Sequence, residues 1–302
     1  MSNLSEVQMS LSPLVPPLLP ALSFAFPGRC VGIAEYSAGP TGITLFHFPE
    51  PAYAAVDVWG GSPGTTFTDA LRAAYGKFVS GIAFCCGSAY GLEAGCALAA
   101  GLLSSGLASN QRNEIAIVPA AVVFDYKGRD NDVHPDHALG LGALQSTRGD
   151  WFPCGARGAG RFVHWGTYFG QAFMEQSGHG AALGEFGRTK VGMFTVVNAL
   201  GVVNREGQPV LGNLDRRSGL RGLVAEDLRR GIKPHPTDLA AGAGVSENTT
   251  LTLLVTNRRL RQEELQSGGR YAHVYGTSDP TISHGKRRGY FFHSHYGRGF
   301  NQ

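Results

Sequence analysis

Apolar and polar positions along this chain fall into short blocks that read as strands interleaved with helices of small residues. Val31 to Glu35 and Thr44 to Phe48 predict two strands joined by a turn over Ala38-Gly39-Pro40-Thr41-Gly42. Ala54 to Val58 predicts a third, before a loop over Gly60 to Gly64. Phe67 to Val79 has helical spacing, with Leu71, Tyr75 and Phe78 on one side. Ser88 to Leu107 is almost wholly small or apolar and predicts a buried helix whose glycines and alanines admit close packing. Ile115 to Tyr126 reads as a buried strand, Asp136 to Gln145 as a short helix, and Ser146 to Gly170 as a glycine-rich loop. Lys190 to Val203 predicts another buried strand, and Asn204-Arg205-Glu206-Gly207 a hairpin turn before Val210. Asp215 to Gly244 suits an exposed linker, and Leu251 to Thr256 a last strand. Strands alternating with helices imply an α/β fold of stacked layers.

The chain's 302 residues suffice for a full core, in one large domain or two small ones. With 43% hydrophobic and only 16% charged residues, it reads as globular rather than disordered. Residues 11–26 are apolar but broken by prolines, and no basic segment precedes them. They fail as a membrane span or signal peptide and suit an extended arm, so a cytoplasmic location and no membrane partner are expected. The five cysteines, an odd number in apolar surroundings, read as buried thiols of a reducing compartment. The net charge of +3 misleads: residues 267–302 hold five basic residues and one acidic one. The remaining 21 basic and 22 acidic residues offer no excess to attract nucleic acid.

Chemistry is suggested first by Asn248-Thr249-Thr250, set ahead of the strand-like run from Leu251. A threonine opening a strand after a flexible approach fits a hydrolase that first cuts its own chain. Its hydroxyl attacks the preceding peptide bond, and the freed α-amino group, with a pKa of ~7.7–8.0, then serves as general base. The same triplet is also a glycosylation pattern. Asn198 ends a buried strand, where its amide either satisfies a turn or aims its NH2 at an oxyanion. His134-Pro135-Asp136-His137 and His293-x-His295 lack the cysteine or carboxylate partners of a metal set. A helix start at Asp136 accounts for the former. Gly158-Ala159-Gly160 has no dinucleotide-binding frame around it and reads as a tight loop near a pocket, so neither cofactor nor metal is expected.

Taken in order, several motifs resemble the family of DmpA-type aminopeptidases and nylon-oligomer (6-aminohexanoate-oligomer) hydrolases. They are Gly39-Pro40-Thr41-Gly42, Ala89-Tyr90-Gly91-Leu92-Glu93-Ala94-Gly95, Pro135-Asp136-His137-Ala138-Leu139-Gly140, Gly158-Ala159-Gly160, Gly178-His179-Gly180-Ala181-Ala182, Val197-Asn198-Ala199-Leu200-Gly201 and Glu247-Asn248-Thr249-Thr250. Threonine after asparagine looks like the nylon-oligomer branch, since the aminopeptidase branch uses serine. The resemblance implies an αββα layered sandwich of the Ntn-hydrolase-like type, autoprocessed and assembled as a homotetramer. It makes Thr249 the nucleophile, Asn198 an oxyanion or orienting amide, and Asn248 the new end of the large piece. It also places Thr167, Phe124, Tyr90 and Gly160 at the pocket. The expected organisation is an arm over 1–30 and one hydrolase domain over 31–302, cut into 1–248 and 249–302.

Two positions depart from the family. Thr167 stands where the family has a catalytic lysine, and a hydroxyl supplies no positive charge. Phe124 stands where a tyrosine is expected. After Gln266 the resemblance stops. Back-translating the tail and shifting its frame by one base lets 275–293 be reread as a family-like stretch with Pro-Phe-His-Thr and Asp-Gly-Asp. This implies a frameshifted C-terminus and a lost core strand, with an exposed sheet edge. The implied activity is hydrolysis of linear amides such as 6-aminohexanoate oligomers. An exo-acting aminopeptidase, an unprocessed pseudoenzyme and a nucleic-acid binder acting through the basic tail are the alternatives.

Overall fold

The computed structural model describes residues 21–23, 26, 28–60, 63–72, 77–126, 129–205, 207–231 and 248–269, and the backbone of 292–296. Two five-stranded sheets organise them. Cys30–Tyr36 (β1) and Thr41–Ala54 (β2) form a hairpin that pairs Tyr36 with Thr41 across the turn 37–40. The turn is therefore shorter than expected, because Thr41 and Gly42 already belong to β2. After Ala55 the chain crosses to the second sheet as Val56–Gly60 (β3). Thr65–Thr66 (β4), Lys77–Cys85 (β5) and Ala120–Val122 (β6) complete the first sheet in the order β1-β2-β5-β6-β4. His179–Phe186 (β7), Thr189–Asn198 (β8), Thr249–Thr256 (β9) and Phe292–Tyr296 (β10) join β3 in the second, in the order β7-β8-β9-β10-β3.

The helices are Thr68–Arg72 (α1), Leu92–Ser104 (α2), His137–Gln145 (α3) and Val224–Arg229 (α4), with a further helical run over 262–269. β5 and β6 are parallel, so their connection must cross over, and α2 is that crossover. Asp136 caps α3 through Oδ1, accepting the Leu139 N–H at 2.9 Å, as its place before an apolar run implies. Ala94, Leu98 and Leu102 of α2 and Leu139 and Ala143 of α3 pack with Tyr36, Ile43 and Leu45, forming a helical layer over the first sheet. Between the sheets lies an aromatic core: Phe194 stacks obliquely against Phe152 at 4.8 Å and Phe46 at 5.2 Å. Such pairs contribute about 0.5–1.5 kcal/mol each beyond their buried area.

Several expectations need correction. The helix expected over Phe67 to Val79 is only α1, and Phe78 and Val79 belong to β5. The three apolar residues at helical spacing were misleading because Phe78 opens a strand that is buried continuously from Gly81 to Cys85: Val79 is buried while Phe78 is 49% exposed. The strand predicted from Lys190 ends at Asn198, and Val203–Arg205 starts a separate hairpin with Gln208–Leu211. The supposed linker after Asp215 contains α4, and residues 232–247 lie outside the described set. Cys85 and Cys86 are buried, but Cys96 is exposed on α2 and Cys30 and Cys154 are half-buried. Of the arm, Ala21–Ser23 pairs with Trp151–Pro153, and Phe26 joins the core.

The tail contradicts the expected bare edge. β10 pairs with β9 over residues 249–252 and with β3 on its other side, so a strand occupies that place in the sheet. Strand pairing needs only backbone N–H and C=O groups, which a segment without apolar periodicity still supplies. No helix among the described residues is long and apolar enough to cross a membrane.

Candidate active site

Thr249, the first residue of β9, stands directly opposite Asn198, the last of β8. Directly opposed residues of an antiparallel pair share a face of the sheet. In β8 the buried positions are Gly192, Phe194, Val196 and Asn198; in β9 Leu253, Leu251 and Thr249 oppose the last three and are buried too. The side chains of Asn198 and Thr249 therefore continue the inner face that carries the aromatic core, at its end between the two sheets. Asn198 is 5% exposed and Thr249 fully buried.

The Asn198 amide clamps two backbone segments. Its Nδ2 donates to the Phe124 carbonyl at 2.8 Å, just beyond β6 in the opposite sheet, and its Oδ1 accepts the His164 N–H at 3.0 Å. One hydrogen of the NH2 is thus spent, and the group carries a second. The Thr249 hydroxyl, by contrast, has no hydrogen-bond partner among the described residues. A buried polar group left unpaired costs about 1–3 kcal/mol, which packing alone gives no reason to bear. Immediately before it, Asn248 Oδ1 accepts the Leu200 N–H at 3.2 Å, tying the residue ahead of Thr249 to the turn that follows Asn198.

Thr167 is brought to the same turn. It is buried, and its N–H points at the Ala199 carbonyl at 3.4 Å; Gly166 donates to Gly201 at 2.7 Å and Tyr168 to Leu200 at 3.3 Å. Gly166 holds a left-handed backbone (φ 73°), and a Cβ there would collide with the Asn213 nitrogen. The loop is braced from outside. Arg221 grips Glu175 through two bonds of 2.7 Å while Gly212 donates to the same carboxylate, which holds it below the ordinary carboxylate range. Arg216 caps the Ala172 and Met174 carbonyls.

The other expected pocket residues divide. Phe124 contributes its carbonyl, while its ring packs edge-on against Tyr126 at 5.6 Å. Tyr90 is 67% exposed and lies against the His134 ring at 5.6 Å. Gly160 is buried where a Cβ would strike the backbone of Gly178 and His179; close approach of two segments explains it. Neither Tyr90 nor Gly160 joins the hydrogen-bonded group around Thr249. Lys190 faces Glu185 at 3.1 Å, at the far end of β8 from Asn198. A cavity of about 420 Å³ lined by Phe48, Tyr53, Phe78 and Leu265 adjoins Leu253 to Leu260, ~13 Å or more along the strand from Thr249, and includes none of these residues.

Sequence reasoning missed three groups. His179 is buried with Nδ1 against the Pro153 carbonyl at 3.2 Å and Nε2 against Thr44 Oγ1 at 2.8 Å. A carbonyl only accepts, so Nδ1 bears the proton and Thr44 donates to Nε2. Thr44 in turn accepts the Ala159 N–H at 3.0 Å. Burial holds this imidazole neutral, with its pKa lowered to about 4. The other two are Tyr126 and Arg129. The Arg129 guanidinium lies 4.4 Å over the Tyr126 ring and reaches Asp125 Oδ1 at 3.3 Å. The available signal was an acid, a phenol and a guanidine immediately after a buried strand. Among the described residues no cluster of His, Cys, Asp and Glu could hold a metal ion.

Residues 27–275 match peptidase family S58. The chain is 35% identical over 254 residues to the 6-aminohexanoate-oligomer endohydrolase of Paenarthrobacter ureafaciens, covering 83% of this chain and 68% of that one. In structure it is similar to the β-aminopeptidase of a Burkholderia species, with a TM-score of 0.58 at 18% identity over 90% of this chain and 74% of that one. It is also similar to the L-aminopeptidase D-Ala-esterase/amidase of Ochrobactrum anthropi, a variant of the Ntn-hydrolase fold. There the TM-score is 0.54 at 14% identity, over 86% and 70% of the two chains. At such identities the structural likeness speaks for the fold, while the family match and the sequence relative speak for the chemistry. Together they show that this chain belongs to peptidase family S58 and is a hydrolase of amide or peptide bonds with the Ntn-hydrolase fold.

Proposed function

We propose that this chain cuts itself between Asn248 and Thr249 and then hydrolyses linear amides of the 6-aminohexanoate-oligomer type, acting within the oligomer. One observation carries the reading: the buried hydroxyl of Thr249, without a partner, at the head of a strand and opposite the Asn198 amide. In self-cleavage, Oγ1 attacks the Asn248 carbonyl carbon, and the C–N bond gives way to an ester. Water then releases an Asn248 carboxylate and a Thr249 bearing both hydroxyl and free amine. In turnover, that amine takes the hydroxyl proton as Oγ1 attacks the substrate carbonyl and passes it to the leaving amine. Water hydrolyses the acyl ester. The second hydrogen of Asn198 Nδ2 serves the oxyanion, its first holding the amide in place through Phe124. The bond from Leu200 to Asn248 supports the reading by fixing the residue whose carbonyl is attacked.

The activity of the Paenarthrobacter relative supplies the substrate class, and the likeness to a β-aminopeptidase supports a second reading, an exo-acting aminopeptidase on the same site. The neutral Thr167 favours a third, an unprocessed and inactive chain. The proposal includes an arm over 1–30, one domain over 31–302, a homotetramer and a cytoplasmic location. Intact mass under denaturing conditions tests it: two pieces, 1–248 and 249–302, are expected. A single uncut chain that fails to hydrolyse 6-aminohexanoate oligomers overturns it. Release of single N-terminal residues from free but not capped peptides favours the exo reading.

A further inference from the structure

Arg129 is the most conspicuous charged side chain outside the group around Thr249. Its side chain is 1% exposed, yet among the described residues its only side-chain hydrogen bond is one of 3.3 Å from Nη2 to Asp125 Oδ1. Nε and Nη1 are buried and have no acceptor among the described residues. The Tyr126 hydroxyl, on the ring beneath the guanidinium, is likewise buried and unpartnered. Asp125 is engaged elsewhere, accepting from Gly87 N–H at 2.8 Å and from Thr41 Oγ1 at 3.2 Å, so it does not absorb the remaining donors. Burial pushes the phenol up to about 12, which keeps its proton in place at neutral pH.

Three donor atoms, two of them on one guanidinium cation, thus lie together with nothing among the described residues to accept from them. Leaving such groups dry is costly, and the cost is recovered by an acceptor with several lone pairs. A planar two-oxygen anion matches the planar guanidinium, which binds carboxylates through parallel N–H bonds. The position suits a substrate group: Tyr126 lies two residues beyond Phe124, ~7 Å of extended chain from the carbonyl that holds the Asn198 amide.

We infer that Arg129 and Tyr126 form a carboxylate-binding subsite that takes the free carboxyl end of a linear amide substrate. The identity of that substrate rests on the function proposed above, whereas binding of the carboxylate does not. An enzyme so equipped prefers oligomers with a free acid to the same oligomers ended as amides.

The test separates binding from turnover. Calorimetric titration of the full chain compares hexanoate with hexanol, neither of which has an amide to hydrolyse. Hexanoate is expected to bind about tenfold or more tightly, the scale of charge-assisted bonds. Arg129→Lys is expected to abolish most of that preference. Tyr126→Phe, which keeps the ring and the fold, is expected to weaken hexanoate several-fold and leave hexanol alone. In turnover, the ratio of kcat/KM for acid-ended over amide-ended oligomer is expected to fall in both variants, chiefly through KM. Equal binding of the two probes by the unaltered chain overturns the inference, as does a preference untouched by both substitutions. Absence of hydrolysis alongside selective hexanoate binding overturns the proposed function and leaves the subsite standing.

Discussion

Asn198 and Thr249 face each other across the β8–β9 ladder, one with its amide committed to two backbone segments and the other with an idle hydroxyl. The contrast is chemically useful: the first group is rigid because it is bonded, and the second is available because it is not. A rigid donor beside an unengaged hydroxyl is what the proposed attack on a carbonyl requires.

Replacing Thr249 by valine keeps the branched shape and removes the unpaired oxygen. The variant is expected to be at least as stable as the parent, by about 1 kcal/mol in denaturant titration, and to remain one chain by mass. A clear loss of stability means that the hydroxyl has a partner in solution.

Asn198→Ala leaves the His164 N–H and the Phe124 carbonyl without their partner. A loss of about 1–3 kcal/mol is expected in the same titration. Asn198→Asp retains the acceptor for His164 but sets an oxygen against the Phe124 carbonyl. It should therefore lose both stability and cleavage, and an aspartate variant that cuts at the parent rate argues against any role for the NH2.

Gly166→Ala places a methyl group against the Asn213 backbone in a left-handed conformation. The loop must shift, which unseats the bonds from Gly166, Thr167 and Tyr168 to the turn after Asn198. The expected outcome is a stability loss of more than ~1 kcal/mol and slower chain cleavage followed by mass. Gly207→Ala, also at positive φ but with open space around it, should show only the backbone part of that loss.

His179 links pH to stability. Its folded pKa of about 4 lies below the unfolded value near ~6.5, so between these limits the unfolded chain binds more protons. The contribution is complete above the unfolded value and is lost as pH falls towards 4, a change on the order of 3 kcal/mol. Denaturant titrations at pH 7 and 4.5 check it, and His179→Gln should flatten the difference between them.

Much of this architecture was legible because burial in layers leaves periodic traces. The α2 and α3 segments and the β1, β8 and β9 strands each carry a face that the core demands. β5 escaped because Leu71, Tyr75 and Phe78 mimic a helical stripe, although they belong to a short helix, the 73–76 stretch and a strand. β7 escaped because His179 to Phe186 is built of glycines, alanines and exposed residues and lacks any apolar alternation. Thr249 and Asn198 were readable as candidates, yet their apposition depends on register, which no local pattern encodes. Arg129 and Tyr126 were passed over because a phenol and a guanidine after a buried strand become distinctive only when their donors are seen to lack acceptors, which only three dimensions reveal.

The strand that begins with Thr249 is flanked on both sides, by β8 along its whole length and by β10 over its first residues. Its location is therefore inherited from its neighbours and not from the peptide bond that precedes it. Covalent continuity is dispensable for the architecture: residues 1–248 and 249–302 produced as two separate polypeptides should find each other and rebuild the same sheet.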